Sequence, residues 1–381
     1  MTKNPAPVLA AALAAALAAA PALAEEPIKV GALLSVTGPA SFLGAPEART
    51  LEMAVEELNA KGGVAGRKVQ LLVKDTGGSP EKAISFAKQL IDEEQVFAII
   101  GPATSGESLA VKGIAEDAKT PLISCAAAEA IVNPVARWVF KTAQKDSDAI
   151  VKVFRQMKAM KITRIAVLSS NTGFGKAGKE QIARLAPEHG IQIALDEVYD
   201  KAATDLTAEV TKVKAANAQA ILNWSIEPAQ SIVIKNARQI GISVPIFQSH
   251  GFANIQYVRA AGAAADGVIF PASRIIGAEA LPSKNPQKAV LVAYKKAYEA
   301  RYKEDASAFG GYAHDSLAML VKAIRDVGPD REKVRGAIEG MKGFVGTSGV
   351  FNLSPTDHNG LDVDAFEMVT VKKGKFVLLG K

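Results

Sequence analysis

The chain has 381 residues, of which 49% are hydrophobic and 22% are charged, and its formal net charge is +6. That length and apolar content are sufficient for two domains with cores of their own, and they exclude a disordered chain. Lysines and arginines are interspersed with acidic residues and aromatics make up only 6% of the sequence, which argues against a nucleic-acid-binding groove.

The first 24 residues differ in character from the rest. Lys3 is their only charge, an Ala/Leu/Val-rich run extends from Pro7 to Ala20, and Ala22-Leu23-Ala24 has the small-x-small pattern of a cleavage site. We predict a cleaved secretory signal peptide over residues 1–24 and a mature protein in the bacterial periplasm. A membrane anchor is the alternative interpretation, because the run is nearly long enough to span a bilayer.

From Pro27 onward, short β-branched runs alternate with longer stretches of helical period, which is typical of βα units on mostly parallel sheets. In the first predicted helix, Leu51, Val55 and Leu58 recur on one face at helical spacing, as a buried stripe does. Strands are predicted at Ile28–Leu34, Val69–Lys74, Phe97–Ile100, Pro121–Ser124, Arg164–Leu168, Ala220–Asn223, Pro245–Gln248 and Gly267–Phe270.

The βα units fall into two series, one ending near Thr142 and the other extending from about Asp146 to Pro271. Three helices follow, and then two extended segments, Val350–Leu353 and Phe366–Leu379. These two are joined by the turn-rich stretch SPTDHNGLDVD, which we expect to be a hairpin-like excursion on the surface.

Motifs of catalysis and of cofactor binding are missing. GGVAGR lacks a dinucleotide fingerprint, SNTGFGKAG lacks the first glycine of a phosphate loop, and GTSGV is not a nucleophile elbow. The four histidines are far apart and the single cysteine, Cys125, has no partner for a disulfide or a metal site. We therefore predict no enzymatic activity, no cofactor and no metal.

Loops that follow the predicted strands carry small residues and hydroxyls, and these are the positions at which parallel α/β sheets bind ligands. Ser105 in GPATSGES precedes a predicted helix, so it is either a simple N-cap or part of an anion site. The run Ala126-Ala127-Ala128 leaves its backbone accessible. Cys125 either lines the same cleft or belongs to the core.

Six stretches, taken in order, resemble the type I periplasmic solute-binding proteins of the leucine/isoleucine/valine-binding family. The resemblance implies an α/β fold with two Rossmann-like lobes, parallel-type central sheets and a three-strand hinge. It also implies a monomer that binds a small-molecule carboxylate, binds no nucleic acid, and serves an ABC permease in the inner membrane. The stretches are TGPASFLG, EELNAKGGVAGRKVQLLVKD, IIGPATSGESLAV, PLISCAAA, KNARQIGISVPIFQSHG and GVFNLSPTDHNGLD.

With this resemblance we assign residues 25–143 and 272–349 to the first lobe, and residues 144–271 and 350–381 to the second. The family's ligand contacts are carried over to the matching positions of this chain. The carboxylate-binding positions match Ser105 and the backbone of Ala126, Ala127 and Ala128. The other contacts match Ser41, Phe42, Leu43, Phe174, Trp224, His250 and Phe252.

His250 is the departure that bears on the ligand. Amino-acid-binding members usually have an acidic residue directly before a glycine at this loop, whereas this chain has His250-Gly251. Opposite charges about 4 Å apart attract by roughly 4 kcal/mol at an effective dielectric near 20. Without the acidic residue, the ammonium group of an amino acid would lose an attraction of this size. A histidine instead donates a hydrogen bond or, when protonated, carries a positive charge.

We therefore predict an aromatic carboxylate ligand, of the benzoate or phenylpropenoate kind. Branched-chain or other amino acids are the alternative, with Glu227, Glu129 or Asp200 replacing the missing acid. A second alternative for His250 is a purely structural histidine that bonds to the backbone. A further alternative for the protein is a sensor that regulates a partner instead of feeding a transporter.

Overall fold

The computed structural model describes residues 25–379, and the predicted signal peptide lies outside them. Two β-sheets with flanking helices make up most of this range, which confirms the predicted α/β class. Among the described residues, none of the helices combines the length and apolar character needed to cross a bilayer.

The first sheet has five parallel strands in the order β2-β1-β3-β4-β5. The helix after β1 buries the predicted stripe of Leu51, Val55 and Leu58 against the core. We call this sheet and the helices packed on it the first lobe. Its strands are β1 (Ile28–Leu34), β2 (Val69–Asp75), β3 (Ala98–Ile100), β4 (Leu122–Ser124) and β5 (Val139–Lys141), and its first helices are α1 (Ser41–Ala60), α2 (Pro80–Lys88) and α3 (Ser105–Asp117).

The second sheet has seven strands in the order β14-β13-β10-β9-β8-β6-β7, with β13 antiparallel to β10 and β14 antiparallel to β13. We call it, with its helices, the second lobe. Its strands are β6 (Arg164–Ser170), β7 (Gln192–Tyr199), β8 (Ala220–Trp224), β9 (Ile246–Gln248), β10 (Ile269–Ser273), β13 (Phe366–Lys372) and β14 (Lys375–Leu378), and its helices are α4 (Asp146–Ala159), α5 (Gly173–Leu185), α6 (Thr207–Ala215), α7 (Ala229–Gln239) and α8 (Ile255–Ala261).

Three later helices return to the first lobe, where the long α10 packs on α1. A two-stranded sheet follows them. These elements are α9 (Lys288–Tyr302), α10 (Ala308–Val327), α11 (Arg331–Glu339), β11 (Phe344–Val345) and β12 (Val350–Phe351).

All eight predicted strands are confirmed: Ile28–Leu34 matches exactly, and the ends of the others differ by at most three residues. Three further strands, β5, β7 and the two-residue β11, were not predicted. β5 has only three residues, and β7 is an edge strand whose polar residues and partial exposure give it little hydrophobic signal. The predicted extended segment Phe366–Leu379 is a hairpin, with a turn at Lys373-Gly374.

The prediction of a surface excursion at SPTDHNGLDVD is wrong for its central part, because His358 and Asn359 are fully buried. His358 Nδ1 lies 2.8 Å from the Val139 carbonyl oxygen. Asn359 Nδ2 donates to the carbonyl oxygens of Lys141, at 3.1 Å, and Ala143, at 2.9 Å. The stretch is therefore tied to the segment that leads from β5 to α4, at one of three places where the chain passes between the sheets. The lobe boundaries assigned above stay a prediction.

Candidate functional site

A narrow cavity lies between the two lobes and is lined from both sides. It leaves about 20 Å³ for the centres of water molecules, which is room for roughly one or two waters. Its lining has no carboxylate side chain; a serine, a tyrosine, a histidine and a cysteine are its only polar side chains. The lining residues are Leu43, Ala103, Ser105, Cys125, Ala126, Ala127, Phe174, Ile226, His250, Gly251, Phe309 and Tyr312.

Ser105 is the first residue of α3 and not its N-cap. The cap is Thr104, whose Oγ1 accepts from the Glu107 amide at 3.3 Å while the Glu107 carboxylate accepts from the Thr104 amide at 3.3 Å. The N-cap interpretation of Ser105 is therefore wrong. Ser105 Oγ accepts from the Ala128 amide at 3.2 Å, which leaves its hydroxyl proton available to donate to a solute.

The backbone after β4 is only partly available to a solute. The Ala126 amide donates to Ser124 Oγ at 3.1 Å, and the Ala128 amide is used by Ser105. Ala126 and Ala127 line the cavity, whereas Ala128 is fully buried outside the lining. Of the three predicted amide donors, the one at Ala127 is not engaged by these two bonds.

Aromatic side chains form the wall of the second lobe. Phe174, the second residue of α5, lines the cavity, and Trp224 stacks behind it with ring centroids 5.6 Å apart. Trp224 is fully buried and does not line the cavity. Gly178 makes this position possible, because a methyl group there would lie 2.0 Å from the indole Nε1.

His250 sits among aromatic rings and is only 5% exposed. Its ring lies edge-on to Phe174, with centroids 5.5 Å apart, and next to Phe366, with centroids 5.4 Å apart. Its Nδ1 is buried and has no hydrogen-bond partner, so the proposed backbone bond does not engage this nitrogen. Burial and the nearby Lys141 ammonium lower the pKa of His250 to about 3. The imidazole is therefore neutral in this structure.

The remaining predicted contacts are distributed unevenly. Leu43 lines the cavity, whereas Ser41 and Phe42 stand beside it, outside the lining. The Phe42 ring meets Tyr257 of the second lobe edge-on at 5.1 Å. Phe252 is fully buried in the second core, stacked on Tyr257, and does not reach the cavity.

Cys125 lines the cavity and is buried, and both burial and the nearby Glu47 carboxyl raise the pKa of its thiol well above 9.0. Tyr312 and Phe309 also line the cavity, from the first turns of α10. Sequence reasoning missed these two aromatics. The only signal available was their place among the small residues of AFGGYA, which the helical stripe further along α10 obscured.

Glu47 was also missed. It is fully buried and neither of its carboxyl oxygens has a hydrogen-bond partner. Burial, and then the nearby Glu107 carboxyl, raise the pKa of Glu47 well above its ordinary 4.5. When ionised, Glu47 would raise the pKa of Cys125 and of Tyr312, so its carboxyl lies within electrostatic range of these two residues on the cavity wall. An uncharged carboxyl therefore stands behind the first-lobe wall.

Lys141, at the end of β5, is a fully buried cation near the second-lobe wall. Its Nζ donates to the carbonyl oxygens of Ala127, at 2.6 Å, and Gln144, at 3.3 Å. Burial lowers the pKa of Lys141 to about 7, and the neighbouring Asp146 carboxylate opposes this shift. Lys141 also lowers the pKa of His250, so it adds positive potential at this end of the cavity.

The three acids considered as replacements for the missing carboxylate do not line the cavity. Glu129 Oε1 accepts from the Asn133 amide at 2.9 Å, and Asp200 accepts from the backbone of its own loop. Glu227 follows the lining residue Ile226, and burial raises its pKa.

Two mostly parallel sheets with a cavity between them, lined from both sides, define a two-lobed binding protein. A family profile described as Periplasmic binding protein matches residues 27–375. The chain therefore belongs to this family, and its relatives include Leu/Ile/Val-binding proteins. This is a solute-binding family, in agreement with the expectation that the chain is not an enzyme.

Two curated relatives illustrate the degree of similarity. Leu/Ile/Val-binding protein homolog 7 of Brucella abortus is 31% identical over 224 residues, which is 56% of this chain and 56% of that protein. The chain thus spans little more than half the length of that relative. The leucine-, isoleucine-, valine-, threonine-, and alanine-binding protein of Pseudomonas aeruginosa is 24% identical over 319 residues, covering 83% of each chain.

Solved structures are similar over nearly the whole chain. An extracellular ligand-binding receptor from Rhodopseudomonas palustris HaA2 has a TM-score of 0.86 at 27% identity, covering 92% of this chain and 99% of that one. The branched-chain amino acid transporter substrate binding protein of Streptococcus pneumoniae, solved in complex with isoleucine, has a TM-score of 0.79 at 26% identity, covering 93% and 99%.

Proposed function

We propose that this protein is the periplasmic solute-binding component of an ABC importer, and that its solute is a small carboxylate without an ammonium group. A benzoate-type aromatic acid is the leading candidate. The observation that carries the proposal is the cavity wall itself, which has no carboxylate side chain and includes the neutral imidazole ring of His250.

An ammonium group would be poorly held by this wall. A buried charge without a partner is strongly unfavourable, because the cavity offers too little space for the water that would otherwise solvate it. A carboxylate would be held better. A ring N–H of His250 and the Ser105 hydroxyl can each donate to it, and charge-assisted hydrogen bonds of this kind are the stronger ones.

The backbone adds positive potential to the same place. Helix α3 of the first lobe and helix α5 of the second begin beside the cavity, at Ser105 and at Gly173. The N-termini of helices carry partial positive charge, so both ends favour an anion. Lys141 contributes a third positive source from behind Ala127.

The apolar walls favour a flat ring. Phe174 stands on one side, and Phe309 and Tyr312 stand on the other. Stacked or edge-on aromatic pairs contribute on the order of 1 kcal/mol beyond their burial. The cavity as it stands has room for only one or two waters, so the lobes must open to admit an acid of either the benzoate or the phenylpropenoate kind.

Capture by such a protein requires the two lobes to close on the solute, after which the closed surface is recognised by an inner-membrane permease. The sequence supports a location in the periplasm through residues 1–24, and no feature of the described chain calls for more than a monomer. No covalent change of the solute is involved.

Branched-chain amino acids are the second candidate, favoured by the relatives. The protein of Streptococcus pneumoniae, of similar fold, was solved with isoleucine. In this chain the acid available to an ammonium group would be Glu47, which is buried, unpartnered and within electrostatic range of Cys125 and Tyr312. An ammonium ion close to Glu47 would favour ionisation of that carboxyl.

Isothermal titration calorimetry on protein stripped of solute by unfolding and refolding distinguishes the two candidates. We expect benzoate to bind tightly and leucine and isoleucine to bind at least a hundredfold more weakly. Tight binding of isoleucine without a response to benzoate would refute the carboxylate proposal and establish the second candidate. In that case Glu47→Gln should abolish isoleucine binding.

A further inference from the structure

The backbones of the two lobes touch at a pair of glycines beside the cavity. Gly106 is the second residue of α3 and Gly173 is the first residue of α5. A methyl group added to Gly173 would lie 2.6 Å from Gly106 Cα and 2.8 Å from Gly106 N. Real Cβ atoms essentially never approach another atom so closely, so the contact exists only because residue 173 has no side chain.

The contact is asymmetric. A methyl group added to Gly106 would lie 3.8 Å from the Cα and N atoms of Gly173, which is an ordinary van der Waals distance. Neither glycine has a positive φ, so alanine can adopt both backbone conformations. Gly106→Ala is therefore a matched control, with the same chemical change at the same contact and without the clash.

Neither helix end can yield locally to relieve the clash. The atoms that a methyl group at position 173 would meet belong to backbone and not to a flexible side chain. Both helix starts are capped, α3 by Thr104 and α5 by Thr172, whose side chain accepts from the Gly175 amide at 3.1 Å. Relief therefore requires the two lobes to separate, by about 0.8 Å to restore an ordinary contact of 3.4 Å.

The neighbours of the two glycines are solute contacts. Ser105 precedes Gly106 and Phe174 follows Gly173, and both line the cavity, whereas the glycines themselves do not. We propose that Gly173 is a positioning residue for solute capture: its backbone contact with Gly106 sets the closed distance between the Ser105 wall and the Phe174 wall. The inference rests on the proposed function only in that the solute is held by closure of the lobes.

The test compares Gly173→Ala, Gly106→Ala and wild type by calorimetric titration with benzoate and, separately, with isoleucine. Overpacking of a rigid contact is expected to weaken the binding of whichever solute wild type takes by roughly 5- to 150-fold in Gly173→Ala. Gly106→Ala should bind within about twofold of wild type. Wild-type affinity in Gly173→Ala, or an equal loss in both variants, would overturn the proposal.

Two measurements separate a closure defect from a folding defect and from a wrong solute. The melting temperature of solute-free Gly173→Ala should equal or exceed that of wild type, because alanine is the better helix former; a lower value would indicate damage within a lobe and overturn the proposal. Small-angle scattering should show a larger radius of gyration for this variant at saturating solute. If neither solute binds wild type, the proposed function fails. Scattering of the solute-free proteins still tests the glycine contact, because Gly173→Ala should then lose the compact, closed conformation while wild type and Gly106→Ala keep it.

Discussion

Replacement of His250 by glutamate tests the electrostatic basis of the proposed ligand preference. The side chain is only 5% exposed and lines the cavity, so a new carboxylate there would act directly on a solute in the cavity. Two like charges about 4 Å apart at an effective dielectric near 20 repel by roughly 4 kcal/mol. His250→Glu should therefore weaken benzoate binding by up to about a thousandfold.

The matched control is His250→Gln, which keeps a neutral hydrogen-bond donor at the same place. Loss or lengthening of one hydrogen bond corresponds to about 1 kcal/mol, so this variant should bind benzoate only about fivefold more weakly than wild type. Both variants are to be titrated by calorimetry at pH 8, because burial raises the pKa of an introduced carboxyl and a protonated glutamate would not repel the solute.

The reciprocal measurement uses leucine. A carboxylate at position 250 supplies the partner that an ammonium group lacks in wild type, so leucine binding should strengthen in His250→Glu and remain weak in His250→Gln. The reasoning is refuted if His250→Glu binds benzoate as well as His250→Gln does, or if leucine binds all three proteins alike.

Three further predictions concern the framework of the site. Glu47→Gln should remove a pH dependence of stability, because folded wild type keeps a proton on Glu47 that the unfolded chain releases above about pH 4.5. Above that pH, the free energy of unfolding of wild type, measured in urea, should decline relative to that of the variant by up to about 1.4 kcal/mol per pH unit. Parallel pH profiles of the two proteins would contradict this. Gly178→Ala should lower the free energy of unfolding by about 1–3 kcal/mol, because its methyl group would overlap Trp224. The control Gly113→Ala places a methyl group with no atom within 4 Å, so it should be neutral or stabilising by up to about 1 kcal/mol. Equal effects of the two variants in thermal melts would refute the role of Gly178 in making room for Trp224. Asp315→Asn should lower the free energy of unfolding in urea by about 1–3 kcal/mol. The Asp315 carboxylate accepts four hydrogen bonds from the segment before β12, and an amide cannot accept them all. An unchanged unfolding midpoint would contradict this.

The strand pattern was readable from sequence because buried parallel strands are continuous hydrophobic runs. β5 and β7 were not predicted because they lack such a run: β5 is too short, and β7 is a polar edge strand. The stretch SPTDHNGLDVD was misread because turn-forming residues report local conformation only. They carry no information on whether a turn such as His358-Asn359 is covered by another part of the chain.

The candidate site was also predicted only in part, because residue patterns report local conformation and not tertiary contacts. Ser105, Phe174 and His250 follow predicted strands, so the fold rule that places ligands at strand ends brings them together. Phe252 also follows a strand, but the short turn at His250–Phe252 directs its ring into the core, which no residue spacing encodes. Glu47 was invisible because its importance lies in missing hydrogen bonds, and these exist only once the tertiary structure has excluded water.

The most direct test of the account is a crystal structure of the protein with the solute that co-purifies with it. We expect an acid without an amine, with its carboxylate within hydrogen-bond distance of a ring nitrogen of His250 and of Ser105 Oγ, and with its ring between the aromatic walls. An α-amino acid in the cavity with its ammonium group paired to Glu47, or to any other carboxylate, would contradict the central claim.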